Sequence, residues 1–409
     1  MPFRARTAAY SMRIHPDARL VKDFVPATAM TQLYTEDQTA IRDTVRRFAE
    51  QEVLPRAKKI DREDYFDREL YKGMADLGLY GMSLDEAAGG SGLDTISVCI
   101  AMEELARCSG AIGNTFAIPV EAALFLHHHG NDTQKALIPK ILDGSAVFAT
   151  AVSEPDHGSD VASITTTARR TDDGWVLNGV KAWVTLGGVC DYTMVFARSG
   201  DAPGHKSISC FLVDMTLPGV SRGKNEELLG MHGLEDCQLV FDNVKLAADA
   251  MVGPENQAFK MAMANFNFSR LLMSSMALGL AQGAMEDAVA YARQRKQFGT
   301  PILSFQAVQF MIADMSTEID ASRLMIHHAS RLHDAGLSIA KEAAQAKLFT
   351  TDMAMRNVSN ALQIHGGNGY SCEYRIERIF RDVRLAQIYE GTNQIQRMII
   401  SRQVDKELA

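Results

Sequence analysis

Apolar positions along the 409-residue chain change their spacing twice. From residue 35 to about 143 they recur at helical intervals, as at Ile41, Val45 and Phe48 and again at Val98, Met102, Leu105 and Ala106. A loop signal, Gly89-Gly90-Ser91-Gly92, interrupts them. Near residue 150 the period shortens to two. Residues 175–177 and 180–185 read as strands joined by a tight hairpin at Asn178-Gly179, and residues 192–198, 208–213 and 238–246 read as further strands. This stretch ends near Gly253-Pro254. Helical spacing then returns, with Leu278, Met285, Val289 and Ala292 along one face, and it continues through residues 324–332 and 340–362. The order predicts an α+β protein with four parts: an extension at 1–31, a helical domain at 32–147, a β domain at 148–253 and a second helical domain at 254–409.

Composition narrows the class. Apolar residues are 46% of the chain and charged residues 22%, which excludes collagen-like and largely disordered chains and is enough for a large core. A net charge of −8 gives no general attraction to nucleic acid or anionic membrane, so neither is expected as a partner. The six cysteines lie far apart without CxxC or metal-like spacing, so they read as reduced thiols and no metal site is expected. The uncharged stretch 271–285 is too short and too polar to cross a membrane. A soluble intracellular protein follows, cytoplasmic in a bacterium, with the mitochondrial matrix as the alternative. The first thirty residues carry Arg4, Arg6, Arg13, Arg19 and Lys22 against Asp17 and Asp23 and have no apolar h-region. That excludes a secretory signal. It leaves an Arg-rich transit peptide or, as the favoured reading, a flexible tail ahead of a second start at Met30.

Five short segments carry candidate chemistry, and each has an ordinary structural reading. In residues 152–160, Pro155 and Gly158 prevent regular structure and leave hydroxyls and N–H groups free for a ligand, as would any domain-linking turn. Trp183 and Thr185 fall on one face of a strand, offering an aromatic plane beside a hydroxyl to a flat heterocycle, or forming core. Residues 293–299, Arg-Gln-Arg-Lys-Gln-Phe-Gly, close a long helix and suit either its macrodipole or a pyrophosphate. Residues 363–370 end a helix in glycines that admit a phosphate or a neighbouring chain, but match no P-loop or dinucleotide fingerprint. At Tyr389-Glu390-Gly391-Thr392, Gly391 breaks a helix and Thr392 can cap the next. The run His127-His128-His129 lacks partners at ligand spacing and reads as a surface helix end.

Taken together, these segments resemble the acyl-CoA dehydrogenases over about residues 32–405. The resemblance rests on Glu86-Ala87-Ala88-Gly89-Gly90, Ser153-Glu154-Pro155 with Gly158-Ser159-Asp160, Trp183 with Thr185, and residues 295–299, 363–367 and 389–394, in order and at the expected separations. It implies a helical N-terminal domain, a middle β-barrel or sandwich domain, a C-terminal four-helix bundle, FAD as cofactor and a homotetramer. It further implies that Val152 and Ser153 contact the pyrimidine side of the flavin, that Trp183 packs on its rings and that Thr185 reaches its N5 edge. Arg295, Gln297, Phe298, Gln306, Gln363, Gly366 and Gly367 would bind the phosphates and adenosine of a neighbouring subunit's FAD, and Thr392 and Gln394 the FAD of their own. Ser159, Phe266, Asn267, Arg270, Tyr389 and Gly391 would contact the acyl-CoA.

Glu390 matches the base that removes the α-proton while hydride passes from the β-carbon to flavin N5, giving the trans-2-enoyl-CoA. In the family, the backbone N–H at this glutamate and a ribityl hydroxyl hold the thioester oxygen, and an electron-transfer flavoprotein takes the electrons. An oxidase, or another flavoenzyme of the same fold acting on a different substrate, is the alternative. Three positions depart from the pattern. Ser269 stands where some members place the base, which strengthens the assignment to Glu390. Asn267 replaces a frequent acid, and His157 replaces a small residue near the pocket entrance, where it either narrows the entrance or faces solvent.

Overall fold

The computed structural model describes residues 34–409, and the extension read at 1–31 lies outside them. Helices α1 (Glu36–Phe48) and α2 (Leu54–Glu63) run on through a π-helical turn at Ala49–Val53. They are followed by α3 (Arg68–Asp76), α4 (Thr95–Cys108), α5 (Gly110–His129), α6 (Asp132–Lys135) and α7 (Ile138–Leu142). Their starts are set by side chains that satisfy free N–H groups. The Thr35 hydroxyl and Gln38 form a capping box at α1, and the carboxyls of Asp67 and Asp94 cap α3 and α4.

Eight strands follow: β1 (Phe148–Ala151), β2 (Thr167–Thr171), β3 (Gly174–Val184), β4 (Tyr192–Arg198), β5 (Ile208–Asp214), β6 (Val220–Asn225), β7 (Cys237–Ala247) and β8 (Met251–Val252). They form one sheet in the order β6-β7-β3-β2-β4-β5-β8, with β1 pairing parallel to β4. The β4 and β5 strands are buried on both faces. Val195, Ala197, Phe211 and Val213 pack in one core with Trp175 and Leu177, while Met194, Phe196 and Cys210 face a second core with Phe125 and Ile141 of the helices.

The tight hairpin expected at Asn178-Gly179 is not there. β3 runs unbroken through those residues, and Gly179 marks a β-bulge against β7. The hairpin turn lies instead at Asp172-Asp173, between Thr171 and Gly174. Gly179 is required at the bulge because its φ is 148° and a Cβ there would lie 2.5 Å from the Thr166 hydroxyl. A local Asn-Gly signal therefore marked a bulge, because the neighbouring strand's approach, not the dipeptide, decided its use.

The chain then enters α8 (Ala258–Gln294), a 37-residue helix, and passes through a small hairpin of β9 (Lys296–Gln297) and β10 (Thr300–Pro301). The remaining helices are α9 (Gln306–Asp334), α10 (Ala340–His365), α11 (Ile376–Val383) and α12 (Asn393–Leu408). Here α10 packs against α8, α9 and α12, which gives the four-helix bundle. The single apolar face read for α8 is not what is observed. Residues 268–284 are buried on every side, and Met285 and Val289 are only half-buried, because α4 and α5 cover the helix opposite the bundle. Two glycines of α8 make that crossing close. A Cβ on Gly279 would lie 2.2 Å from the Glu103 carbonyl oxygen, and one on Gly283 would lie 2.4 Å from that of Arg107.

Candidate active site

The segment bearing Glu390 connects a short 3-10 turn, Arg384–Gln387, to α12. Glu390 has φ 53° and Gly391 φ 84°. A non-glycine residue held in the left-handed region costs about 1–3 kcal/mol, so its surroundings must over-determine it. They do. Gln396 Nε2 donates to the carbonyls of Glu390 (3.1 Å) and Gly391 (2.7 Å), and Lys347 Nζ, from α10, donates to the Gly391 carbonyl and to Asn393 Oδ1, each at 2.9 Å. Thr392 caps α12 by accepting from the Ile395 N–H, as expected.

The Glu390 side chain faces Ser269 and Arg270 of α8, and Lys347. Its Oε2 is buried without a partner among the described residues, as are Ser269 Oγ and Arg270 Nε. Arg270 Nη1 donates to Asn267 Oδ1 at 2.8 Å. Burial raises the Glu390 pKa, and Arg270 is the strongest of the groups that oppose it. Burial also pushes Lys347 down to about 7 and lowers Arg270. The Glu390 N–H donates to no described residue, which leaves it free for an oxygen. The Tyr389 hydroxyl rests on Met276 Sδ at 3.2 Å, and its pKa is driven far upward by burial and then by Glu390, Glu121 and Asp236. Two further carboxyl groups, Glu121 and Asp236, thus lie near this segment beside its own Glu390.

A second cluster forms where β1 meets the end of β3. The Ala182 N–H donates to the Ser153 carbonyl at 2.9 Å, and Lys181 Nζ donates to the Val152 carbonyl at 2.9 Å. This holds Val152 and Ser153 beside Trp183 and Thr185. The expectation that Trp183 and Thr185 share a strand face does not hold. The pairing of β3 with β7 shifts register between Lys181 and Val184, Trp183 has φ 58°, and the strand ends at Val184. The left-handed kink leaves the Trp183 ring 59% exposed. Thr185 Oγ1 donates to Asp236 Oδ1 at 3.0 Å, and burial raises Asp236 to about 6.

Below this cluster Glu154 anchors the loop. Its Oε1 accepts from Lys181 Nζ (3.0 Å) and the Thr166 N–H (2.9 Å), and its Oε2 from the Thr165 N–H (2.6 Å) and hydroxyl (2.7 Å). Burial opposes ionisation of Glu154, but the Lys181 charge and these donors outweigh it and pull the carboxyl down to about 2. Its folded pKa lies below the ordinary value near 4.5, so its stabilisation is present above pH 4.5 and is lost as pH falls towards 2. Glu154→Gln leaves Lys181 buried with its charge unpaired and is expected to cost about 3–5 kcal/mol, read as a lower urea midpoint at neutral pH. An unchanged midpoint would show that the pair is dispensable. His157 is half-buried and closes a turn by exchanging backbone hydrogen bonds with Glu154, while Ser159 is exposed and Phe266 half-buried.

The third group lies apart on the surface. The long helix closes within residues 293–299 as expected, α8 stopping at Gln294, and the rest of the segment forms the β9–β10 hairpin, turning at Phe298 (φ 51°) and Gly299 (φ 83°). Phe298 is 92% exposed, and Arg295, Gln297, Gln306, Gln363, Gly366 and Gly367 are exposed too. Tyr291 of α8 stacks on His365 at 4.5 Å and accepts from Asn368 Nδ2, which ties the hairpin's base to the glycines after α10. Gln394 is exposed in the first turn of α12.

Sequence reasoning missed Glu121, Asp236 and Lys347. Glu121 is the one acidic residue in α5, amid a mostly apolar run without lysine or arginine, a signal that was legible. No pattern in the sequence pairs Asp236 with Thr185, because they meet only across β3 and β7. The arrangement suits a flat heterocycle. An exposed indole held by a strained backbone lies near the Thr185 hydroxyl and the Val152–Ser153 segment, and the buried polar atoms at Glu390, Ser269 and Arg270 lack partners among the described residues.

Comparison with known proteins places the chain and its fold among known relatives. Family models described as the acyl-CoA dehydrogenase N-terminal, middle and C-terminal domains match residues 35–145, 149–244 and 256–404. An acyl-CoA dehydrogenase of Bacillus subtilis (strain 168) is 40% identical over 370 residues, covering 90% of this chain and 98% of the relative. The caffeyl-CoA reductase-Etf complex subunit CarC of Acetobacterium woodii is 38% identical, over 90% of this chain and 98% of its own. The structure of butyryl-CoA dehydrogenase from Megasphaera elsdenii superposes with a TM-score of 0.88 at 35% identity, covering 91% of this chain and 98% of that one.

Proposed function

The chain belongs to the acyl-CoA dehydrogenase family, an FAD-dependent group of oxidoreductases, and from that premise we propose that it oxidises a saturated acyl-CoA to the trans-2-enoyl-CoA with Glu390 as base. The observation that carries this reading is the Glu390 carboxyl, deep in the protein, with one oxygen unpartnered among the described residues and a free N–H on its own backbone.

The α-proton of a thioester is too weakly acidic for a carboxylate in water. Out of water the Glu390 carboxyl holds a proton more tightly, so it is a stronger base, and a donor on the thioester oxygen stabilises the enolate as the proton leaves. The Glu390 N–H supplies such a donor. Gln396 and Lys347 keep the Glu390–Gly391 turn in place, so that N–H and carboxyl stay aimed together. Arg270 opposes the effect of burial and favours the ionised form of Glu390. FAD supplies the hydride acceptor for the β-carbon. Val152, Ser153, Trp183 and Thr185 would hold its ring system, Thr392 and Gln394 the FAD of the same subunit, and the exposed group at Arg295, Gln297, Phe298, Gln306, Gln363, Gly366 and Gly367 the FAD of a partner in a homotetramer. An exposed Phe298 favours that assembly, since so large an apolar surface gains by burial. Ser159, Phe266, Asn267, Tyr389 and Gly391 would line the acyl-CoA path. An electron-transfer flavoprotein would take the electrons, and the cytoplasm is the proposed compartment. Among the described residues no helix is long and apolar enough to cross a membrane.

The test is an anaerobic visible spectrum of the FAD-loaded protein, before and after a panel of saturated acyl-CoA thioesters. Bleaching of the oxidised flavin band by a member of the panel is expected. A bound flavin that no thioester bleaches would overturn the reading.

A further inference from the structure

Glu121 is a carboxyl group the mechanism does not use. It lies on α5, whose sequence between Gly110 and His129 holds no other acid and neither lysine nor arginine. Its neighbours Val120, Ala122 and Ala123 are buried, whereas Glu121 keeps accessible surface although protein surrounds it, the mark of a cavity wall. Glu390 and Tyr389 keep accessible surface in the same way. The charged and polar groups that face this place are Glu390 and Tyr389 from the turn before α12, Ser269 and Arg270 from α8, and Lys347 from α10 through Glu390. No basic side chain among the described residues forms an ion pair with Glu121.

We propose that Glu121 is a specificity-determining residue that selects acyl thioesters whose chain carries a hydroxyl or amino group over plain alkyl chains. The inference rests on the acyl-CoA dehydrogenase reading and deepens it. Two carboxyls that face one site do not both ionise at neutral pH. Burial and then the Glu390 charge push Glu121 up to about 8, so at pH 7 Glu121 is held as the neutral acid, with a donor and acceptors to offer. The Ser269 hydroxyl, buried and without a partner, faces both. A plain alkyl chain that displaces water from this wall leaves these groups unpaired. A hydroxyl or amine on the chain pairs with them. A site built to hydrogen-bond a substrate group rejects the analogue that lacks it far more strongly than an apolar pocket discriminates by shape. An acyl carboxylate would add a third acid beside Glu121 and Glu390 and is rejected.

The experiment compares kcat/KM for butyryl-CoA, 4-hydroxybutyryl-CoA and succinyl-CoA in the FAD-loaded wild type, Glu121→Leu and Glu121→Gln. The wild type is expected to favour the hydroxylated chain by about tenfold or more and to use succinyl-CoA least. Glu121→Gln keeps that order, and Glu121→Leu reverses the first preference. With butyryl-CoA the wild-type rate falls on the alkaline side as Glu121 ionises near pH 8, and both variants lose that fall. A wild type that prefers butyryl-CoA overturns the proposal without any variant. So does an order identical in wild type and Glu121→Leu, while thioester oxidation itself still stands. If no acyl thioester bleaches the flavin, the parent reading falls and this one with it.

Discussion

Glu390→Gln is expected to keep the fold and the bound FAD while lowering kcat/KM for an acyl-CoA by about 10²–10⁴-fold, the contribution of a well-placed general base. The amide has the size of the carboxyl but no basic oxygen, and the bonds from Gln396 and Lys347 reach backbone carbonyls that the substitution leaves in place. Dye-coupled turnover and anaerobic flavin bleaching read the loss, and the FAD-to-protein absorbance ratio reads retention. The wild-type pH profile should climb as Glu390 loses its proton, above the usual carboxylate range because burial raises its pKa, and the variant should lack that limb. Stability moves the other way. The folded protein holds the Glu390 proton to higher pH than the unfolded chain, so stability falls as pH rises through that window and the ionised form burdens the fold. Removing its charge is therefore expected to leave the melting temperature equal or higher. Undiminished turnover with every thioester in the panel would place the base elsewhere.

Gly279→Val should destabilise the protein by about 3 kcal/mol, which for a chain of this size is a fall in melting temperature of about 4 °C. A side chain at 279 begins with a Cβ only 2.2 Å from the Glu103 carbonyl oxygen, and the four-residue step to Gly283 repeats the crowding at Arg107. The α4 backbone cannot easily retreat. Glu103 pairs with Arg323 of α9 at 2.6 Å, and the buried Arg107 is held by Glu50, Glu104 and Glu286 at 2.6–3.1 Å. Moving α4 outward opens those pairs and leaves charges buried alone. Gly158→Ala is the control, because nothing lies within 4 Å of a Cβ there, and its melting point should stay within the effect of about 0.5 kcal/mol typical of open sites. Equal melting of both variants would show that the α4–α8 crossing tolerates separation.

The sequence by itself determined the order of helices, strands and helices, because burial of one face leaves its period in every amphipathic segment. It determined the cap at Thr392 and the helix stop at Gly366 as well, since those depend on residues a few positions apart. The family and the match of Glu390 to its base were also legible, carried by short segments whose order and separation are linear properties. Only the tertiary structure decided what those residues face. Asn178-Gly179 became a bulge because β7 and Thr166 approach it, and Trp183 left the strand period because β3 shifts register there. The all-round burial of α8 depends on α4 and α5, which arrive from 150 residues earlier. Glu121, Asp236 and Lys347 sit in unrelated parts of the chain and acquire perturbed proton affinities only where packing removes water from around them and brings their charges together. Desolvation and Coulomb interaction depend on distance in space, and separation along the chain does not report that distance.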